Sequence, residues 1–188
     1  MRRCNIGLFL LAVCLSLPAW ARHAPAAPAP GVLIDVPYVR QRRNGCGEAS
    51  ISMLMRYWEE QEREPISRRA RPRVIEQALD PHQRGVANTA MVAYLRDSGF
   101  RVFAFGGQRE DLRENLLKGR PLIVALAPNG DSGPLHYVVV AGMDWKRNFV
   151  FINDPAQRKL FRMTWSRFAA QWRITGHWTL LAVPRLPE

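Results

Sequence analysis

Of the three cysteines in the chain, Cys46 sits where a thiol could do chemistry rather than fill space. Its surroundings, Gln41-Arg42-Arg43-Asn44-Gly45-Cys46-Gly47-Glu48-Ala49-Ser50, are polar and glycine-flanked, and an apolar helical pattern starts at the cysteine itself. A thiol at a helix N-terminus meets the positive end of the helix dipole and unpaired N–H groups, and both favour the nucleophilic thiolate. Gly45 and Gly47 are expected to leave open space around the sulfur for an approaching substrate backbone. A buried structural cysteine belongs inside the apolar run, at a position such as Met53 or Leu54, and an intermolecular disulfide is the other alternative.

A thiolate nucleophile needs a base. His23 lies in a proline-alanine stretch, and His82 in the polar loop Asp80-Pro81-His82-Gln83-Arg84, where solvation is the plain expectation. His177 opens a last strand beside Trp178 and reads as a packed edge histidine. His136 follows the loop Asn129-Gly130-Asp131-Ser132-Gly133-Pro134 and begins the apolar run Tyr137-Val138-Val139-Val140-Ala141. A polar ring at the mouth of a buried strand, just after a flexible loop, is where reactive groups tend to be placed.

A hairpin centred on Trp145 would set His136 opposite Asp154, and directly opposed residues have Cβ atoms roughly 5 Å apart. Asp144, the competing carboxylate, is eight residues from His136, which along a strand is about 26 Å. The expected set is therefore Cys46 as nucleophile, His136 as base and later acid, and Asp154 as the group that orients the imidazole. The backbone N–H of Cys46 and the side-chain amide of Gln41 are the expected donors to a developing oxyanion; otherwise Gln41 is an ordinary surface residue. Spacings of 90 and 18 residues with a single thiol match no short-range zinc pattern, and no cofactor is expected.

The elements that must position these groups follow from periodicity and punctuation. Residues 32–39 read as a strand interrupted by Pro37, 47–61 as a strong helix and 68–73 as a charged loop or helix edge. Helices are predicted over 74–79 and over 88–98, the latter capped by Asn88 and stopped by Gly99. Then come strand 100–105, helix 109–118 ending at Gly119, strands 121–127, 135–143 and 148–153, a short helix within 161–172, and strand 177–183. Helices first and a mainly antiparallel sheet after make an α+β fold. A length of 188 residues, 47% apolar and 23% charged, fits one globular domain, expected over 32–188.

Arg2 and Arg3, the apolar run Ile6–Leu17 and Pro18-Ala19-Trp20-Ala21 read as a secretory signal peptide cut after Ala21. The run of 12 residues is too short for the roughly 20 that a membrane span needs. Lipidation at Cys14 is the alternative, but branched Val13 precedes it where a small residue is wanted. Residues 22–31 read as an extended linker. Signal removal takes Cys4 and Cys14 and leaves Cys46 as the single thiol. It also takes Arg2 and Arg3, so 27 basic side chains become 25 against 16 acidic, a net of +9. Arg42 and Arg43 beside Cys46 could attract acidic substrate residues. Arg68, Arg69, Arg71 and Arg73 could face anionic lipids or cell-wall polymers, with a solvated face as the alternative; no nucleic-acid motif accompanies the charge, and a periplasmic or secreted location without stable membrane insertion is expected.

Val36-Pro37-Tyr38-Val39-Arg40-Gln41, Cys46-Gly47-Glu48-Ala49, Gly119-Arg120-Pro121-Leu122-Ile123-Val124, His136-Tyr137-Val138-Val139-Val140 and Asn153-Asp154-Pro155 resemble the bacteriocin-processing, double-glycine leader peptidase family of papain-like cysteine proteases. The resemblance spans residues 32–184. It implies a papain-like fold and, on the matching positions, a nucleophile at Cys46, base at His136, orienting group at Asp154 and oxyanion glutamine at Gln41. Processing members often carry Asp-Cys-Gly with the glutamine six residues earlier; this chain has Gly45-Cys46-Gly47 and a spacing of five. Those members are also commonly fused to a transporter. The expectation here is an exported, stand-alone endopeptidase acting on a peptide or protein, serving an export or surface-assembly system. A cell-wall amidase or acyltransferase with the same residues, and a non-catalytic peptide-binding domain, are the alternatives.

Overall fold

The first three turns of the helix that starts at Cys46 have almost no solvent side: Ala49, Ile51, Met53, Leu54 and Met55 are buried, and so are Ser50 and Ser52. A helix that is inside on every face has to satisfy its polar groups internally. Ser50 Oγ donates to the carbonyl of Tyr137 (3.2 Å) and Ser52 Oγ to that of Ala70 (2.6 Å). Farther along, Tyr57 Oη donates to Gly119 O (2.6 Å) and Trp58 Nε1 to Ala182 O (2.9 Å). This element, α1 (Cys46–Gln61), is thus tied to the sheet along its length.

The coordinates are a computed structural model that describes residues 30–79 and 85–185. The expected signal peptide, residues 22–29 of the expected linker and His82 lie outside the described residues. In chain order the described elements are β1 (Gly31–Leu33), α1, α2 (Pro72–Leu79), α3 (Asn88–Asp97), β2 (Phe100–Gly106), α4 (Arg109–Leu117), β3 (Leu122–Leu126), β4 (His136–Asp144), β5 (Phe149–Asn153), β6 (Phe161–Thr164), α5 (Trp165–Ile174) and β7 (Trp178–Pro184). The strands form one antiparallel sheet in the order β2-β7-β3-β4-β5-β6, with β1 pairing β4 where β3 has ended. Helix α1 packs on β3, β4 and β7, while α4 and α5 pack on β3 to β6. The expected α+β arrangement is what forms. The run from Tyr137 to Met143 is buried throughout, which explains why β4 reads as continuously apolar rather than alternating.

Four expectations change in detail. The strand expected over 32–39 ends at Leu33: Ile34 N still makes one last bond across to Ala141 O (2.7 Å), but Val36 N turns back to Ile34 O (3.0 Å), and Pro37 has no N–H to carry a ladder further. Ala87, not Asn88, is the N-cap residue of α3, and it makes no side-chain cap. The segment 161–172 begins with an unforeseen strand, β6, in which Phe161 and Met163 alternate with Arg162 and Thr164; Thr164 Oγ1 then caps α5 by accepting from Arg167 N.

The fourth change concerns the hairpin that carries the candidate site. A hairpin centred on Trp145 would have a one-residue loop, below the two-residue minimum of ordinary hairpins. Instead Asp144 pairs with Phe149 across a four-residue loop, in which Asp144 Oδ1 accepts from Arg147 N (2.9 Å) and Asn148 adopts φ 56°. The register shifts between Val140 and Gly142, and Val139 pairs with Asn153. Continuing that register sets Asp154 level with Val138, so His136 and Asp154 are diagonal rather than direct neighbours. Diagonal neighbours still lie within reach of longer side chains.

At the end of β5, Asn153 is fully buried; its Nδ2 donates to Val36 O (3.0 Å) and its Oδ1 accepts from Leu160 N (2.9 Å). That amide joins the chain leading to Cys46 with the loop following Asp154. Asn153→Ala strands both main-chain partners, and a buried group left unpaired costs about 1–3 kcal/mol. Urea unfolding of this variant is expected to show a loss of about 2–4 kcal/mol, and a change within experimental scatter of the wild type would contradict the assignment.

Candidate active site

Cys46 is the first residue of α1, buried and not in a disulfide. The turn before it is closed by Gly45 N donating to Arg42 O (2.9 Å), with Arg43 at φ 46°. The thiol opens onto a cavity of about 730 Å³ shared with Gln41, Asn44, Asn129, Leu135 and His136. The two glycines beside Cys46 do not provide that room. A Cβ on Gly45 would meet Arg42 O at 2.9 Å, and one on Gly47 would meet Val86 Cβ at 3.3 Å and Tyr137 Cδ2 at 3.4 Å. Glycine is needed here for close packing of the helix start, and the open space lies on the other side of the sulfur.

His136 begins β4, with 19% of its side chain exposed, and its Nε2 lies 2.8 Å from Asp154 Oδ1. Asp154 is 4% exposed, and the same oxygen accepts from Ala156 N (2.9 Å). The surrounding main chain is fixed as well: Tyr38 Oη donates to Asp154 O (3.2 Å) and Pro155 O (3.3 Å), and Gln41 N donates to Pro155 O (3.0 Å). With Nε2 committed to Asp154, Nδ1 is the ring nitrogen left to face Cys46. Burial disfavours a charged imidazole, but hydrogen bonds to Asp154 and Cys46, together with their negative charges, outweigh it and raise His136 from its ordinary 6.5 to about 9. Burial likewise opposes the charge on Asp154. The His136 hydrogen bond, its positive charge and nearby backbone N–H groups prevail, and the carboxyl is held below its ordinary value.

Gln41 faces the same cavity as Cys46 and His136. Its Nε2 donates to Arg43 O (2.7 Å), which commits one amide hydrogen to the loop and fixes the amide's orientation, while Oε1 is buried without a partner. The structure thus gathers Gln41, Cys46 and His136 around one cavity and puts Asp154 behind the imidazole. It leaves the competitors elsewhere: Asp144 caps the hairpin loop, and the ring of His177 packs edge-on against Trp172 at 4.9 Å. Among the described residues no group of three or more His, Cys, Asp or Glu side chains could hold a metal ion. No helix there is long and apolar enough to cross a membrane.

Two residues that shape the site carry no signal of it in the sequence. Tyr137 lies inside an apolar strand pattern and Asn88 at a helix start, yet Tyr137 Oη donates to Asn88 Oδ1 and reaches Val86 O (3.4 Å). The ring packs edge-on against Trp178 and under Gly47. Burial, helped by the neighbouring charge of Cys46, raises the Tyr137 hydroxyl to about 12. This contact ties the cavity wall at residues 86–88 to the strand that bears His136.

A thiol at the head of a central helix, facing an imidazole held by a carboxylate on an antiparallel sheet, is the arrangement of papain-like cysteine peptidases. Residues 33–179 match the Peptidase_C39 like family, and the chain belongs to it as a cysteine peptidase. A C39-like peptidase from Bacillus anthracis is similar in structure at 15% identity, with 84% of this chain and 99% of that one covered and a TM-score of 0.66. The peptidase domain of Streptococcus ComA, a bifunctional ABC transporter involved in quorum sensing, is 20% identical over 79% of this chain and 98% of its own, with a TM-score of 0.60. A double glycine motif protease from an AMS/PCAT transporter, in complex with its leader peptide, is 21% identical over 82% and 95%, with a TM-score of 0.59. No curated protein matches the chain.

The pairing of His136 with Asp154 makes stability depend on pH with a definite sign. A raised histidine contributes fully below 6.5 and loses its contribution as pH rises toward about 9. A lowered carboxylate contributes above 3.8 and loses its contribution as pH falls through its folded value. NMR titration of the His136 ring is expected to give a midpoint near 9, moving down in Asp154→Ala. A wild-type midpoint at 6.5 would rule out the pairing.

Proposed function

We propose that this chain is an exported cysteine endopeptidase in which Cys46 is the nucleophile, His136 the proton carrier and Asp154 the group that holds the imidazole. The observation that carries the reading is that one ring is shared: His136 bonds to Asp154 at 2.8 Å through Nε2 and faces the cavity of Cys46 with its other side. The thiolate sulfur attacks the scissile carbonyl carbon, forming an S–C bond and moving the carbonyl electrons onto oxygen. As the tetrahedral centre collapses, the C–N bond breaks and the leaving nitrogen takes the proton from His136. A water molecule then gives a proton to His136 as its oxygen bonds to the acyl carbon. The S–C bond breaks, releasing the acid and restoring thiolate and imidazolium. Oxyanion charge falls to the N–H of Cys46 and to the Gln41 amide hydrogen not engaged by Arg43, donors of the kind that stabilise such a centre by about 3 kcal/mol each.

The described part of the cleft is uncharged apart from the reacting groups, offering Asn44, Val86, Ala87, Asn88, Asn129 and Leu135. Such a surface suits an extended peptide bound through its backbone and small or apolar side chains. The relative crystallised with a leader peptide supports a peptide as substrate. The apolar run Ile6–Leu17, with Arg2 and Arg3 before it and Ala19-Trp20-Ala21 after it, supports export, and a protein-export or surface-assembly system is the setting proposed for it.

Cleavage of an unfolded protein such as reduced casein tests the reading. Cys46→Ala is expected to remove both cleavage and labelling by an electrophilic thiol probe, and Asp154→Ala to lower kcat/KM by about 100-fold or more, the usual weight of positioned proton transfer. Undiminished cleavage by Cys46→Ala would refute it, and attack on peptidoglycan without attack on casein would transfer the chain to the amidases.

A further inference from the structure

Behind the imidazole lies a second cavity, of about 230 Å³, whose wall includes Asp154 but not Cys46; His136 and Pro128 belong to both cavities. The chemistry proposed above fixes which part of a substrate passes this way. The imidazolium must stand beside the nitrogen that leaves, whereas the carbonyl carbon stands over the sulfur. The residues after the scissile bond therefore run past the ring, away from Cys46, and the second cavity borders that ring without reaching Cys46.

Its composition differs from that of the first. Leu126, Ile152, Phe161 and Met163 give it an apolar lining, and Arg167 and Gln171, one turn apart on α5, complete the wall. Arg167 is exposed and forms no ion pair among the described residues. The Arg158 guanidinium rests over the ring of Phe161, one of the lining residues, at 5.7 Å. Asp154 is the single carboxylate in the wall, and its Oδ1 already accepts from His136 and Ala156. An unpaired guanidinium on an otherwise apolar wall suits a carboxylate carried on an aliphatic stem.

We propose that this cavity receives the leaving-group side of the substrate and that Arg167 selects a carboxylate within the first few residues after the scissile bond. The proposal rests on the peptidase reading. It names Arg167 as a specificity-determining residue, placed by the Thr164 cap at the start of α5.

The test uses internally quenched peptides built on a sequence that the wild-type enzyme cuts in casein, with Asp, Gln or Lys at each of the first three leaving-side positions. A second pair ends soon after the scissile bond in a free carboxylate or an amide, which separates a side-chain acid from a chain terminus. The wild type is expected to favour Asp over Lys by roughly fivefold in kcat/KM at one of these positions, the weight of one exposed charge pair, and this ratio is expected to shrink in high salt. Arg167→Gln is expected to bring the ratio near unity and Arg167→Glu to invert it. Glutamate at that position completes a capping box with Thr164, so the fold is kept, and reading a ratio within each enzyme cancels any uniform loss. A wild-type ratio of unity in both peptide sets, or an Arg167→Glu enzyme that keeps the wild-type ratio, overturns the subsite alone. Casein cleavage persisting in Cys46→Ala overturns the peptidase reading beneath it.

Discussion

A carboxylate buried to the depth of Asp154 keeps its charge only where protein groups replace the water it has lost. Here the replacement is an imidazole ring on one side and a backbone N–H on the other, and each imposes a demand on the fold. The ring must stand at the start of β4, which requires the long apolar strand behind it. The N–H must come from a tight loop just after β5, which requires the turn closed by Gln157 N donating to Asp154 O. The thiol then has to arrive from the other layer of the molecule. Ser50, one turn into α1, is bonded to the carbonyl of Tyr137, the residue after His136. Helix and strand are thus joined at the height where sulfur and imidazole meet.

Much of this was legible in the sequence, and the exceptions share a cause. The α+β order, the helix beginning at Cys46 and the strand beginning at His136 follow from periodicity and from the punctuation of glycine and proline. The register centred on Trp145, which predicts the partnership of His136 with Asp154, is not the one the chain adopts. What survives the error is that a diagonal pair and a direct pair are both within reach across a narrow hairpin. The four-residue loop depends on Asn148 entering the left-handed region and on Asp144 capping its own turn, which periodicity does not reveal, and the shift at Ala141 leaves no mark in an unbroken apolar run. Side-chain roles across long separations were equally hidden. Asn153 bridges to Val36, and Tyr137 to Asn88; each pairing exists only once the sheet has formed.

The glycines around Cys46 show how a correct local signal can carry the wrong physical reason. Their presence marks a special backbone position, but the constraint comes from Arg42 O, Val86 and Tyr137 pressing on the helix start rather than from a visiting substrate. Room for substrate is supplied instead by the loops that bound the cavity at residues 85–88 and 128–135. Reactive geometry and cavity shape are therefore governed by different stretches of chain.

The link between Gln41 and Pro155 bears on how such a protein can change over generations. It runs from main-chain nitrogen to main-chain oxygen, and its neighbour from Asn153 also ends on a main-chain carbonyl. Stitches of that kind are blind to the side chains carried by residues 36 and 155. The exposed positions beside the seam, such as the arginines at 40 and 42, are therefore free to drift in sequence, whereas buried Val36 and Val39 and the Tyr38 hydroxyl are held by the frame that keeps thiol, imidazole and carboxylate in step.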